Sequence, residues 1–127
     1  MNQKGFTFIE ILVVTTIIGI LATIGLTSYQ VANKKARDGK RKADLEQIRS
    51  ALEMCKADTG AYPLTLDLTS CGLDSSLTCG TNTYLSPIPC DPTKVTPYLY
   101  SYVSSGGITY TLSATLEIGG AYTVINP

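Results

Sequence analysis

Glu10 is the only ionisable residue in FTFIEILVVTTIIGILATIGL, the apolar stretch over residues 6–26. A carboxylate at mid-bilayer costs roughly 2.5 to 3.5 kcal/mol, less near an interface, and such residues are functional by default. Glu10 therefore calls for a cation. A cut between Gly5 and Phe6 would supply one, because the new α-ammonium would sit at the i,i+4 spacing from Glu10, where side chains share a helix face. Within one chain that pair neutralises the acid. Between neighbouring chains it fixes the axial register of two packed helices, the best-attested use of a buried charge. The plainer alternative is that Glu10 snorkels to a lipid headgroup.

The remaining reactive side chains point away from catalysis. The chain has no His among its 127 residues, so the usual general base, proton shuttle and commonest metal ligand are missing. There is no glycine-rich phosphate loop, G-x-S-x-G elbow or basic-aromatic RNA signature. Cys55, Cys71, Cys79 and Cys90 all follow the apolar stretch. In a short exported chain they fit two disulfides, with three pairings open. The favoured one joins Cys71 to Cys79, closing a short polar loop, and Cys55 to Cys90, tying a helix to the loop before the sheet. A four-cysteine zinc site is disfavoured, since no C-x-x-C pair exists. No catalytic residue, cofactor or metal is expected.

Lys34, Lys35, Arg37, Lys40, Arg41 and Lys42 form a basic belt with Asp38 as its only anion. A solvated helix face, or pairing with acidic head residues of neighbouring subunits, is the plain reading. The functional one is anion binding, to lipid headgroups or to DNA, where repeated copies would multiply weak phosphate contacts. The positive-inside rule would place this belt in the cytoplasm against Lys4 alone. The cysteines say the opposite, and the two signals conflict.

These groups must be positioned by two unlike halves. Residues 1–60 hold nine Lys/Arg against six Asp/Glu, whereas residues 61–127 hold Lys94 against Asp67, Asp74, Asp91 and Glu117, together with seven of the eight Tyr. As a helix, residues 6–26 span about 31 Å, close to the hydrocarbon thickness of a bilayer. Lipid forces that helix despite the many β-branched side chains. A cleaved secretory signal would need an A-x-A site after the stretch, and ATIGLTSYQVAN has no convincing one. Further on, Leu45, Ile48, Leu52 and Cys55 make a one-sided apolar stripe. Asp58-Thr59-Gly60 with Pro63 beyond reads as a helix stop, so one helix is expected from Phe6 to about Ala57. Residues 98–103, 108–116 and 121–125 read as a three-stranded antiparallel meander with turns at Gly106-Gly107 and Gly119-Gly120. Ile108, Tyr110, Leu112, Ala114 and Leu116 should face the helix and the intervening Thr and Ser should face water. The expected fold is α+β: a leader at 1–5, an apolar helix at 6–30 and a head at 31–127.

Lys4-Gly5-Phe6-Thr7-Phe8-Ile9-Glu10 with its apolar run resembles the class III leader of type IV prepilins and type II secretion pseudopilins. Lys56-Ala57-Asp58-Thr59-Gly60-Ala61-Tyr62-Pro63 and Tyr84-Leu85-Ser86-Pro87-Ile88-Pro89-Cys90-Asp91-Pro92 are similar to the helix exit and pre-sheet loops of the same family. The resemblance implies cleavage after Gly5 by a prepilin peptidase that also N-methylates Phe6, with Glu10 pairing with a neighbouring terminus. It implies a single-pass precursor in the inner membrane, head outside the cytoplasm, that passes from lipid into a helical filament of identical subunits. The implied partners are a platform protein, an assembly ATPase and minor pilins. It outweighs the positive-inside signal. The first expectation is a type IV pilus subunit for attachment, twitching motility or DNA uptake; the alternative is a major pseudopilin of type II secretion. Cys55 and Cys90 fall where the family patterns have other residues. Thr27 replaces a kinking Pro, and the Asp-Gly-rich calcium loop of many pseudopilins is missing from LEIGGAYTVINP, so calcium is not expected.

Overall fold

A computed structural model describes residues 5–126. Of the expected leader, only Gly5 falls among them. The elements in chain order are α1 (Phe8–Thr59), β1 (Leu77–Cys79), β2 (Asn82–Leu85), β3 (Ser101–Ser105), β4 (Thr109–Thr115) and β5 (Ala121–Ile125). Contacts divide the chain into two compact units, with the boundary between Lys34 and Lys35.

The first unit is the apolar part of α1, which is long and apolar enough by length and composition to cross a membrane. Its large side chains are exposed throughout, from Phe6 and Phe8 to Ile24 and Leu26. The threonines fit an apolar solvent. Thr15 and Thr16 donate their hydroxyls to the Leu12 carbonyl, Thr23 to the Ile20 carbonyl and Thr27 to the Ile24 carbonyl. Each of these hydroxyls is thus satisfied inside the helix, as a lipid-facing segment requires.

In the second unit the rest of α1 packs on the antiparallel sheet β3-β4-β5. Leu45, Ile48, Leu52 and Cys55 are all buried, as the stripe predicts, and Ala51 joins them. Tyr110, Leu112 and Ala114 of β4 are buried between exposed or half-buried Thr and Ser. Ile108 is exposed instead, because it belongs to the turn that precedes the strand. Gly106 and Gly107 both take positive φ there, and Ile108 N–H donates to the Ser105 carbonyl at 3.1 Å. That geometry is open to Gly and costly to other residues. α1 ends where the stop signal places it: Gly60 is left-handed and its N–H bonds the Lys56 carbonyl at 2.8 Å.

The tyrosines explain their own abundance. Tyr100 donates to Asp44 at 2.7 Å, Tyr122 to Glu46 at 2.9 Å, and Tyr62 and Tyr110 both to Glu53. Each ring fills the space between sheet and helix while its hydroxyl finds a carboxylate on α1. Burial, then the hydrogen bond to Glu53, pushes the Tyr62 hydroxyl up to about 12.

The β1-β2 hairpin lies outside the sequence expectation, and it changes the disulfides. The structure pairs Cys55 with Cys79 and Cys71 with Cys90, not Cys71 with Cys79 and Cys55 with Cys90. The hairpin brings Cys79, at the end of β1, over the last turn of α1, beside Cys55. The antiparallel bridge between Gly72 and Ile88 sets Cys71 against Cys90. Cα separations of 5.8 and 5.3 Å suit both links.

Candidate functional site

The segment around Glu10 is built on a helix start. Thr7 N–H and Thr7 Oγ1 donate to Glu10 Oε2 at 2.8 and 2.7 Å, and Glu10 N–H returns to Thr7 Oγ1 at 3.4 Å. This is a capping box, with Thr7 as N-cap and Glu10 three residues on. The Thr-x-x-Glu spacing at 7–10 signals it, yet a reading centred on charge passes it over. Glu10 also places a negative group where the helix dipole is positive. Both Thr7 bonds fall on Oε2. Gly5 and Phe6 precede the helix and are exposed.

The basic belt divides into two classes. Arg41 is fully buried, and Asp91, Asp38 and Glu117 converge on it: Nε to Asp91 Oδ2 at 2.5 Å, Nη1 to Asp38 Oδ1 at 2.7 Å and to Glu117 Oε1 at 3.0 Å. Its guanidinium also lies 4.6 Å from the Tyr98 ring centre. Arg37 forms a two-pronged pair with Glu117, both contacts 2.6 Å. Arg41 is closed to an outside anion and Arg37 is half-buried with its Nε and Nη2 taken by Glu117, which narrows the six-residue belt. The belt's lysines, Lys34, Lys35, Lys40 and Lys42, are all exposed, with Lys42 5.5 Å from the Tyr122 ring centre.

The cluster locks loops to the helix. Asp38 accepts from the N–H groups of Glu117 and Ile118, both at 2.9 Å, and so pins the β4-β5 loop. Asp91 accepts from Thr93 and Lys94 N–H and holds the loop before the sheet. Charges respond accordingly. The Arg37 fork, helped by Arg41 against burial, lowers Glu117 to about 2. At Asp38 burial would raise the carboxyl, but the two loop N–H groups and Arg41 hold it below its usual value. Asp91 is depressed in the same way, burial being outweighed by Arg41 and Thr93. Asp44, one turn on, is raised by burial despite its bond from Tyr100. Nothing in the sequence pairs residues 41 and 91 or 37 and 117, so this knot could not be read from spacing. The three carboxylates close on an internal cation, and among the described residues no group of His, Cys, Asp or Glu is placed to hold a metal ion.

Comparison with known proteins agrees with the N-terminal geometry. The family described as "Prokaryotic N-terminal methylation motif" matches residues 1–26. "Type II secretion system core protein G" of Pseudomonas aeruginosa is 34% identical over 94% of this chain and 89% of its own length. The protein of that name from Vibrio cholerae is 32% identical over 94% and 86%, and that of Escherichia coli K12 is 33% identical over 72% and 67%. No solved structure matches significantly. The chain is a structural subunit rather than an enzyme, and it belongs to the type II secretion system core protein G family.

Proposed function

We propose that the chain is a major pseudopilin, the repeating subunit of a type II secretion fibre that drives protein export. The similarity to core protein G along nearly the whole chain carries this reading, ahead of the surface pilus that the sequence alone put first. A prepilin peptidase would cut after Gly5 and methylate Phe6. Methylation keeps the amine basic, so it can still meet Glu10.

The first unit then serves two solvents in turn. In the inner membrane its exposed apolar side chains meet lipid; in the fibre they meet copies of themselves. Lipid tails are as apolar as these side chains, so transfer into a bundle gains little from the hydrophobic effect and depends on packing and polar pairing. Neutralising Glu10 against a neighbouring terminus supplies such a pairing and sets the axial stagger. The work of extraction would come from an assembly ATPase acting through a platform protein, with minor pseudopilins as further partners. The test is deletion of the gene in its own host. Loss of protein export with surface pili intact supports the reading; normal export with loss of pili, attachment or DNA uptake overturns it in favour of a pilus.

A further inference from the structure

The two disulfides cross along the chain: Cys79, paired with Cys55, lies between Cys71 and Cys90, which pair with each other. Of the three ways to join four cysteines, this is the one in which no link joins neighbours in chain order. Loop closure works against it. The native links span 24 and 19 residues, whereas Cys71 and Cys79 lie eight apart. Closure becomes rarer as roughly the three-halves power of loop length, so an unfolded chain joins Cys71 to Cys79 about five times more readily than Cys55 to Cys79, and about four times more readily than Cys71 to Cys90. Order of arrival adds to this, because a head exported from its N-terminal end exposes Cys55 and Cys71 before Cys79.

Packing has the opposite preference. Leu77, Cys79 and Cys55 are buried together, at 1%, 8% and 1% exposure, and the Gly72–Ile88 bridge sets Cys71 against Cys90. A Cys71–Cys79 link takes one sulfur from each native pair, so neither can form while it stands. Once the hairpin has docked, Cys55 and Cys79 are too buried for a protein thiol to reach. The exchange that corrects the pairing therefore precedes docking.

We propose that the head reaches its native form by thiol–disulfide isomerisation, with a protein dithiol isomerase of the exporting compartment as its partner and a chain mispaired at Cys71–Cys79 as that partner's substrate. This rests on the head lying outside the cytoplasm and holds for a secretion fibre or a pilus alike. In a chain linked Cys71–Cys79 and Cys55–Cys90, the isomerase thiolate attacks Cys79 Sγ, forming a mixed disulfide and releasing Cys71 as thiolate. Cys71 then attacks Cys90 Sγ, which forms the Cys71–Cys90 link and releases Cys55. Finally Cys55 attacks Cys79 Sγ, which forms the Cys55–Cys79 link and returns the isomerase thiolate. Two disulfides enter and two leave, with no net transfer of electrons or protons.

The full chain is expressed in its own host with and without that host's disulfide isomerases, quenched with N-ethylmaleimide and mapped by non-reducing peptide analysis. The intact host should give Cys55–Cys79 and Cys71–Cys90. Without isomerases the fraction of natively paired chains should fall about twofold or more, with Cys71–Cys79 or Cys55–Cys71 in the remainder. Cys71→Ser with Cys90→Ser leaves a single possible pair, so its Cys55–Cys79 link should form equally in both hosts. Purified full chain, unfolded in urea and oxidised by diamide, should show Cys71–Cys79 about fourfold over Cys71–Cys90. Native pairing at the wild-type level without isomerases overturns the proposal, as do equal amounts of the two links in urea. A double variant that loses Cys55–Cys79 without isomerases also overturns it, because the partner then acts on folding and not on pairing. Four free thiols in the intact host overturn the placement of the head outside the cytoplasm as well.

Discussion

Arg41→Met keeps most of the aliphatic stem of Arg41 and removes its guanidinium, which isolates the effect of the charge. The wild-type side chain is fully buried and meets Asp91, Asp38 and Glu117 within 3.0 Å. In the variant Asp91, itself buried, keeps only Thr93 and Lys94 as donors, and Asp38 keeps only the two loop N–H groups. Removing one partner of a buried ion network costs about 3 to 5 kcal/mol, because the remaining charge is left uncompensated. Against a total stability of roughly 5 to 15 kcal/mol that is a large fraction, and for a head of this size it lowers the melting temperature by roughly 12 °C or more. Urea unfolding of the full chain in detergent, followed by circular dichroism, measures it. Lys34→Ala, at an exposed position, should stay within about 0.5 kcal/mol of wild type. Arg41→Met with Asp91→Asn should lose less than the sum of the single changes, since the isolated acid is then gone. A loss below about 1 kcal/mol for Arg41→Met would refute the reasoning, because it would show the acids to be solvated without their cation.

Three further outcomes follow from the same geometry. Glu10→Gln retains a capping-box side chain but no charge, so the helix start and the head should be unchanged while fibre assembly fails; normal fibres from that variant would sink the register role. Non-reducing peptide mapping should recover Cys55 linked to Cys79 and Cys71 linked to Cys90, and loss of either link should cost about 2 to 5 kcal/mol. The head should lose stability as pH falls from about 4.5 toward about 2. Glu117, Asp38 and Asp91 have depressed folded values, so the unfolded chain takes up their protons first and is favoured through that window. Asp44, raised by burial, works in the opposite sense and blunts the slope. An unfolding midpoint at about pH 3 equal to that at about pH 6 would contradict the linkage.

What was legible in the sequence was local. The stripe from Leu45 to Cys55, the Gly60 stop, the alternation in β4 and the Lys4 to Glu10 motif each declare themselves within a few residues, through helix period, turn chemistry or a single charge in an apolar run. Arg41 and the Cys partners did not, because their positions depend on contacts 50, 24 and 19 residues away. A basic run on a helix looks solvated until the loops that cover it are known. The β1-β2 hairpin was readable in part: Gly80 takes a positive φ in the two-residue turn between Cys79 and Asn82. Strands of three and four residues, with a register shift between Leu77 and Thr78, were too short and irregular to show a period.

The central claim is that this chain is processed at Gly5 and polymerises through the helix that follows. Intact mass of the subunit in fibres sheared from its own host tests both halves at once. The expected species lacks Met1 to Gly5, begins at Phe6, carries one added methyl group and retains two disulfides. Full-length chain beginning at Met1 and confined to the membrane fraction, in a host with an active prepilin peptidase, would contradict the account.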